Sequence, residues 1–273
     1  MNNRDFSVLM SVYLKENSQY LKDSIDSIFN NTIVPSELII IEDGVLTDDL
    51  YLILDKYENI FPSIIRVPLK KNVGLGKALN IGLSHCSHDW VFRMDTDDIC
   101  LTDRFEKQVK FLKQNPEVDI LSGQVIEFDT TIDNITGNKR VPLAHKDIIQ
   151  FSKTRNPFNH MAVAYKKSVI ESVEGYKHHA YMEDYNLWLR VLAAGYIGAN
   201  LEDNLVLVRA GEEMIKRRSG KVYLKSEWQL FNMKRSLNYQ GTVPAISTLI
   251  ARSIPRLLPN KFLTRIYSIL RKV

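Results

Sequence analysis

The sequence predicts an α/β protein built on a doubly wound, mostly parallel sheet, followed by a helical, basic C-terminal extension. Three observations predict it. Short β-type runs alternate with helical patterns through the first half, the order expected of parallel strands joined by right-handed crossovers. Polar clusters follow the second, third and fourth runs, at the strand ends where open α/β sheets bind ligands. Charge also changes along the chain: residues 1–213 carry a net charge of −8 and residues 214–273 carry +12, with Glu227 the single acid after 213.

Residues 6–12 form a nearly continuous apolar run and read as a buried strand. Residues 18–29 read as a helix with Leu21, Ile25 and Ile28 on one face. The next pairs are strand 37–41 with helix 48–57, then strand 64–67 with helix 75–83, then strand 90–93. From about residue 118 the pattern changes. Residues 118–128 and 161–165 read as strands, with a turn-rich stretch at 129–138 between them. A helix is predicted from Glu183 to Ala194, stopped by Gly195 as the residue after its cap. A longer helix covers about 222–237, and residues 245–273 are basic and apolar, broken by Pro255 and Pro259.

The 273 residues are 45% hydrophobic and 25% charged, as in an ordinary folded protein. Two cysteines, Cys86 and Cys100, make no disulfide framework and no CxxC spacing, which favours a reducing cytosol. No apolar stretch reaches the roughly 20 residues of a membrane span, and no signal peptide is legible. The basic end on an acidic body points to an anionic partner, a membrane or a nucleic acid.

Asp95, Thr96, Asp97 and Asp98 place three carboxylates within four positions. Such crowding is costly unless a hard divalent cation neutralises it. The other reading is a solvated acidic turn before a helix capped by Thr102 or Asp103. Asp43 follows an apolar run and precedes Gly44, which suits either a hydrogen bond to a nucleotide base or a plain turn. Asn72, Val73, Gly74, Leu75 and Gly76 resemble a phosphate-cradling turn before a helix. Glu183 and Asp184 open their helix, where acids suit the macrodipole and where a general base also fits. Arg217 and Arg218 suit a diphosphate clamp or a generic basic surface, and His160 suits an acceptor pocket or a structural role.

Taken in order, these segments resemble the family 2 glycosyltransferases of the GT-A, Rossmann-like fold. The matching residues are Ser7 to Tyr13, Ile41-Glu42-Asp43-Gly44, Asn72-Val73-Gly74, Ala78-Leu79-Asn80, Met94 to Asp98, and Glu183 to Trp188. The later segment Arg217 to Tyr223, with Ser226-Glu227, is similar to a bacterial subgroup, the amylovoran-type and O-antigen sugar transferases.

The resemblance implies a catalytic domain at 1–215, with a nucleotide-sugar half to about 118 and an acceptor half from about 119, and a basic helical extension at 216–273. It implies an inverting, non-processive transfer of one hexose, galactose or glucose favoured, from a UDP-sugar to a lipid-diphosphate-linked saccharide. Asp43, Asn72, Gly74, Asp95, Arg217 and Arg218 would bind the nucleotide. Asp97 and Asp95 would hold Mn²⁺ or Mg²⁺. Asp184 would be the catalytic base with Glu183 beside it, and His160 would line the acceptor site. The protein would be cytoplasmic and peripheral on an anionic membrane through its C-terminal segment, with no nucleic-acid partner, since an acidic body repels phosphates. Leu79 departs from the arginine that many members carry, and no late metal-ligating histidine is evident at 209–213. The alternative class is a nucleotidyltransferase that makes a nucleotide sugar; its glycine-rich N-terminal loop is absent, as residues 14–20 hold no glycine.

Overall fold

The computed structural model describes residues 5–210 and 220–254. The first half follows the predicted alternation: β1 (Ser7–Val12), α1 (Ser18–Phe29), β2 (Glu37–Glu42), α2 (Asp48–Ile60), β3 (Ile64–Pro68), α3 (Leu75–His85) and β4 (Trp90–Arg93). Strands β3, β2, β1 and β4 lie side by side and parallel, with Val12 level with Glu42 and Glu42 level with Pro68. Their carboxyl ends therefore share one edge.

The alternation of side chains along β1 and β2 explains the two-sided core. Val8, Met10, Val12, Leu38 and Ile40 pack with α1 and α2 on one face, while Leu9, Ile39 and Ile41 pack with α3 on the other. Strands covered on both faces need apolar residues at nearly every position, hence the uninterrupted run in the sequence. Close approach of α3 depends on Gly82, where a Cβ would overlap Leu9 and come within 2.8 Å of Ile41 Cγ1.

The second half departs from the expectation in several places. Short β5 (Ile99–Cys100), α4 (Arg104–Gln114) and long β6 (Ile120–Phe128) follow the acidic cluster. The stretch read as turns holds β7 (Ile135–Lys139), paired antiparallel with β6. Next come α5 (His145–Ser152) and, where a strand was expected at 161–165, a 3₁₀ turn at His160–Ala162 before β8 (Ala164–Lys166). The chain continues with α6 (Lys167–Ser172), α7 (Glu183–Ala193) and β9 (Gly198–Arg209). Gly195 follows α7 at φ 90°, the left-handed position expected of it.

The described strands make one mixed sheet in the order β3-β2-β1-β4-β8-β6-β9-β5. Strand β8 joins β4 and β6 antiparallel, while β6 and β9 run parallel. Finally α8 (Gly220–Ser236) and α9 (Thr242–Ser253) pack as a hairpin. Tyr223 and Leu230 of α8 form an apolar cluster with Met182, Tyr185 and Leu189 of α7 and its cap. No helix among the described residues is long and apolar enough to cross a membrane. Cys86 and Cys100 are buried free thiols.

Candidate active site

The site lies along the edge formed by the carboxyl ends of the parallel strands. At the end of β2, Asp43 is buried and its two carboxylate oxygens accept the backbone N–H groups of Val73 and Gly74, at 2.7 and 3.1 Å. Asn72 Nδ2 donates to the Asp43 carbonyl at 3.2 Å. Asp43 thereby fixes the loop that opens α3. Gly74 caps that helix at φ 86°, and Gly44 at φ 92° lets the two loops touch, since a Cβ there would lie 2.7 Å from Asn72 N.

The acidic cluster leaves β4 and reaches β5. Asp95 pairs with the buried Arg93 guanidinium, and its carbonyl accepts Ser24 Oγ at 2.9 Å. Thr96 donates its hydroxyl to Glu16, whose other oxygen accepts Asn17 N at 2.8 Å. Asp97 is half-buried, and its carboxyl is pushed up to about 7 by burial first, then by the charges of Asp95 and Glu16. Asp98 is buried and is also raised, by burial and then by Asp97 and Asp95. Its Oδ1 accepts Arg209 N at 2.9 Å, a tie from the cluster to β9.

Two cations, the buried Arg104 and the half-buried Arg209, lie beside these acids. Arg104 Nη2 donates to the Arg93 carbonyl at 2.7 Å. Arg209 stacks its guanidinium 3.6 Å over the Tyr20 ring and donates from Nε to the Asp97 carbonyl at 3.2 Å. Among the described residues no group of three or more His, Cys, Asp or Glu side chains forms a ready metal cage. The donor chemistry nevertheless fits Mn²⁺ or Mg²⁺: hard carboxylate oxygens, those of Asp95 and Asp97 crowded by like charge.

Across the edge stands the first turn of α7. Asp184 Oδ2 accepts Asn156 Nδ2 at 2.6 Å, and Oδ1 accepts Tyr185 N at 2.7 Å. Glu183, raised chiefly by burial, packs beside α3: a Cβ at Gly76 would lie 3.5 Å from Glu183 Cγ. His160 Nε2 and the Tyr176 hydroxyl share a hydrogen bond of 3.0 Å, with Trp188 flanking the pair. Burial and then Arg93 lower the His160 pKa, while Asp184 and Asp95 oppose that shift. The imidazole thus senses Arg93, Asp95 and Asp184 together. Tyr176 is held by Asn80, which donates to its carbonyl at 2.8 Å and accepts its N–H at 2.7 Å.

The structure thus brings Asp43, Asn72 and Gly74 into one bonded unit, while the charges of Asp95 and Asp184 both reach His160. Arg217 and Arg218 lie outside the described residues. Arg93, Glu16, Asn156, Tyr176 and Arg209 were not singled out from the sequence. Arg93, two positions before Asp95, and Asn156, in the segment leading to His160, carried the only available signal, which was proximity to residues already noted. Leu79, at the departure from the family pattern, is fully buried on the α3 side of the sheet.

A mixed sheet with a mostly parallel nucleotide-type half, an acidic cluster at its edge and C-terminal helices defines the GT-A class of glycosyltransferases. The mannosyltransferase PcManGT of Pyrobaculum calidifontis, solved with GDP-Man and Mn²⁺, superposes with a TM-score of 0.64 at 16% identity, covering 98% of this chain and 81% of that one. The Glycosyl transferase family 2 model matches residues 7–173. The amylovoran biosynthesis glycosyltransferase AmsE of Erwinia amylovora is 44% identical over 98% of this chain and 99% of its own length. The Escherichia coli UDP-Gal:alpha-D-GlcNAc-diphosphoundecaprenol beta-1,3-galactosyltransferase is 42% identical over 96% of this chain and 94% of its own. The chain belongs to glycosyl transferase family 2.

Proposed function

We propose that this glycosyltransferase moves one hexose, galactose or glucose, from a UDP-sugar to a hydroxyl of a lipid-diphosphate-linked saccharide in bacterial O-antigen or exopolysaccharide assembly. The full-length similarity to an enzyme named for that donor and acceptor supports the substrate classes, and the similarity to AmsE supports the setting. The observation that carries the mechanism is the Asp184 carboxylate, held by hydrogen bonds from Asn156 and from the Tyr185 amide at the opening of α7.

In this reading Asp43, Asn72 and Gly74 form the nucleotide loop, with Asp43 facing the base. Asp97 and Asp95 hold the cation, and Arg217 and Arg218 meet the diphosphate. The cation, when bound, neutralises charge on the leaving diphosphate. His160 lines the acceptor pocket. Asp184, with Glu183 beside it, takes the proton from the acceptor hydroxyl as that oxygen bonds to the anomeric carbon and the bond to the UDP oxygen breaks. Attack from the opposite face inverts the configuration. The exposed apolar row Val243, Ile246 and Ile250 on α9, continued by Ile254 at its cap, supports a membrane-facing role for the C-terminal segment.

Asp184→Asn tests the mechanism. A general base contributes about 10²–10⁴-fold, so turnover with UDP-galactose and a synthetic GlcNAc-diphosphate-lipid is expected to fall by that factor, with UDP affinity kept. Full turnover in the folded variant, or a product of retained configuration, overturns the assignment.

A further inference from the structure

We infer that Arg252 and Lys234, from the C-terminal helical hairpin, are positioning residues for the Asp184 carboxylate and act through the backbone of residues 153–156. The inference rests on the reading of Asp184 as the base.

Helix α5 ends at Ser152, and the carbonyls beyond its last turn have no partner within the helix. Two of them are taken by cations reaching in from the hairpin. Lys234 Nζ donates to the Lys153 carbonyl at 2.7 Å, and Arg252 Nη1 donates to the Thr154 carbonyl at 2.8 Å. Two residues further on, Asn156 makes its 2.6 Å hydrogen bond to Asp184. The other support of Asp184 comes from the same nest. Tyr185, whose amide binds Asp184 Oδ1, donates its hydroxyl to the Ser152 carbonyl at 2.7 Å and accepts from Lys234 Nζ at 3.0 Å. Its ring lies 4.9 Å from the Lys234 ammonium and 5.6 Å from the Arg252 guanidinium.

Packing alone does not call for this arrangement. Lys234 is 3% exposed and Glu227, the 2.7 Å ion partner of Arg252, is 2% exposed. Buried ions contribute less to stability than apolar residues of the same volume. What they supply here is direction: two donors aimed at consecutive carbonyls, the second two residues before Asn156, which orients Asp184. A misplacement of about 1 Å in a reacting group costs up to roughly 100-fold in rate.

The test compares Asn156→Ala, Arg252→Lys, Lys234→Met and Asp184→Asn in the full chain, with kcat, donor KM, UDP affinity and melting temperature measured for each. Arg252→Lys keeps a positive charge for Glu227 but loses the fork that also reaches Thr154. Asn156→Ala, Arg252→Lys and Lys234→Met are each expected to lower kcat by about 10- to 100-fold, with donor KM and UDP affinity within about twofold. The Asn156→Ala/Arg252→Lys double variant is expected to be little worse than Asn156→Ala, because both act on one path. Wild-type kcat in folded Arg252→Lys or Lys234→Met, or multiplicative losses in the double variant, overturns the inference. Should Arg252→Lys fail to fold, Lys234→Met decides alone. Turnover surviving in Asp184→Asn instead defeats the base reading, whatever the other variants do.

Discussion

Asp97 and Asp98 are adjacent in sequence but differ in use. Asp98 is committed to the Arg209 amide, whereas among the described residues no hydrogen bond from another residue reaches the Asp97 carboxylate, which stands in the field of Asp95 and Glu16. Asp97→Ala is therefore expected to remove Mn²⁺-dependent turnover while the fold persists. Loss of a ligand's partner alone costs 10- to 100-fold in metal-site function, so loss of a ligand is expected to exceed about 100-fold. Asp98→Ala leaves a backbone donor unpaired and is expected to lower stability by about 1–3 kcal/mol in denaturant unfolding. Greater loss of turnover in folded Asp98→Ala than in Asp97→Ala reverses the two roles. The cluster itself was legible in the sequence, because three acids in four positions are unusual chemistry. Arg93 and Asn156 were not. Their meaning depends on where a side chain points: Asn156 meets Asp184 across 28 positions, a pairing that no local pattern encodes.

Elements with strong periodicity were legible, and those whose identity rests on partners were not. Helices α1, α3 and α7 announce themselves by apolar faces, and β1 and β2 by runs buried on both sides. Strand β5 is two residues long and exists through pairing with β9; β7 is largely exposed and exists through pairing with β6. The α7–α8 interface carries a measurable electrostatic signature. Burial, then the charge of Arg252, lowers the Lys234 pKa from 10.5 to about 7, with Glu227 opposing and the Tyr185 ring and hydroxyl facing the ammonium. Below pH 7 folded and unfolded chains both hold this proton, and the folded form bears a buried charge. Between about 7 and 10.5 the unfolded chain binds more protons than the folded one, so the Lys234 contribution to stability rises with pH across that window. Comparing denaturant midpoints from pH 6 to 10 should show this rise in the native chain relative to Lys234→Met. Parallel curves for the two proteins would mean that Lys234 keeps an ordinary pKa.

At the scale of the whole molecule, the acidic body and the basic end were evident from charge, but not how the two are joined. Residues counted toward the basic extension turn inward: Lys234 and Arg252 are taken up by the chain just after α5 and by α7, and the surface of α9 is instead apolar, with Ile246 43% and Ile250 52% exposed. If that face meets a bilayer, Ile246→Glu with Ile250→Glu should weaken co-sedimentation with phosphatidylglycerol vesicles by at least about tenfold, since burying one such side chain contributes on the order of 1.5 kcal/mol or more. Unchanged sedimentation would remove the membrane role from this face. The mixed sheet also gives the acidic segment a second meaning, as a strap. Between Arg93 and Ile99 the chain takes six steps, a reach of about 20 Å. In that span it leaves β4 and passes β8, β6 and β9 in strand order, a distance of about 19 Å if the sheet were flat. The sheet curls enough for β5 to pack on α1, which gives the strap its slack. An inserted residue would have to bulge within the acids or slip Ile99 and Cys100 against Leu207 and Val206, turning their side chains over. The length of this segment is as much a part of the site as its charges.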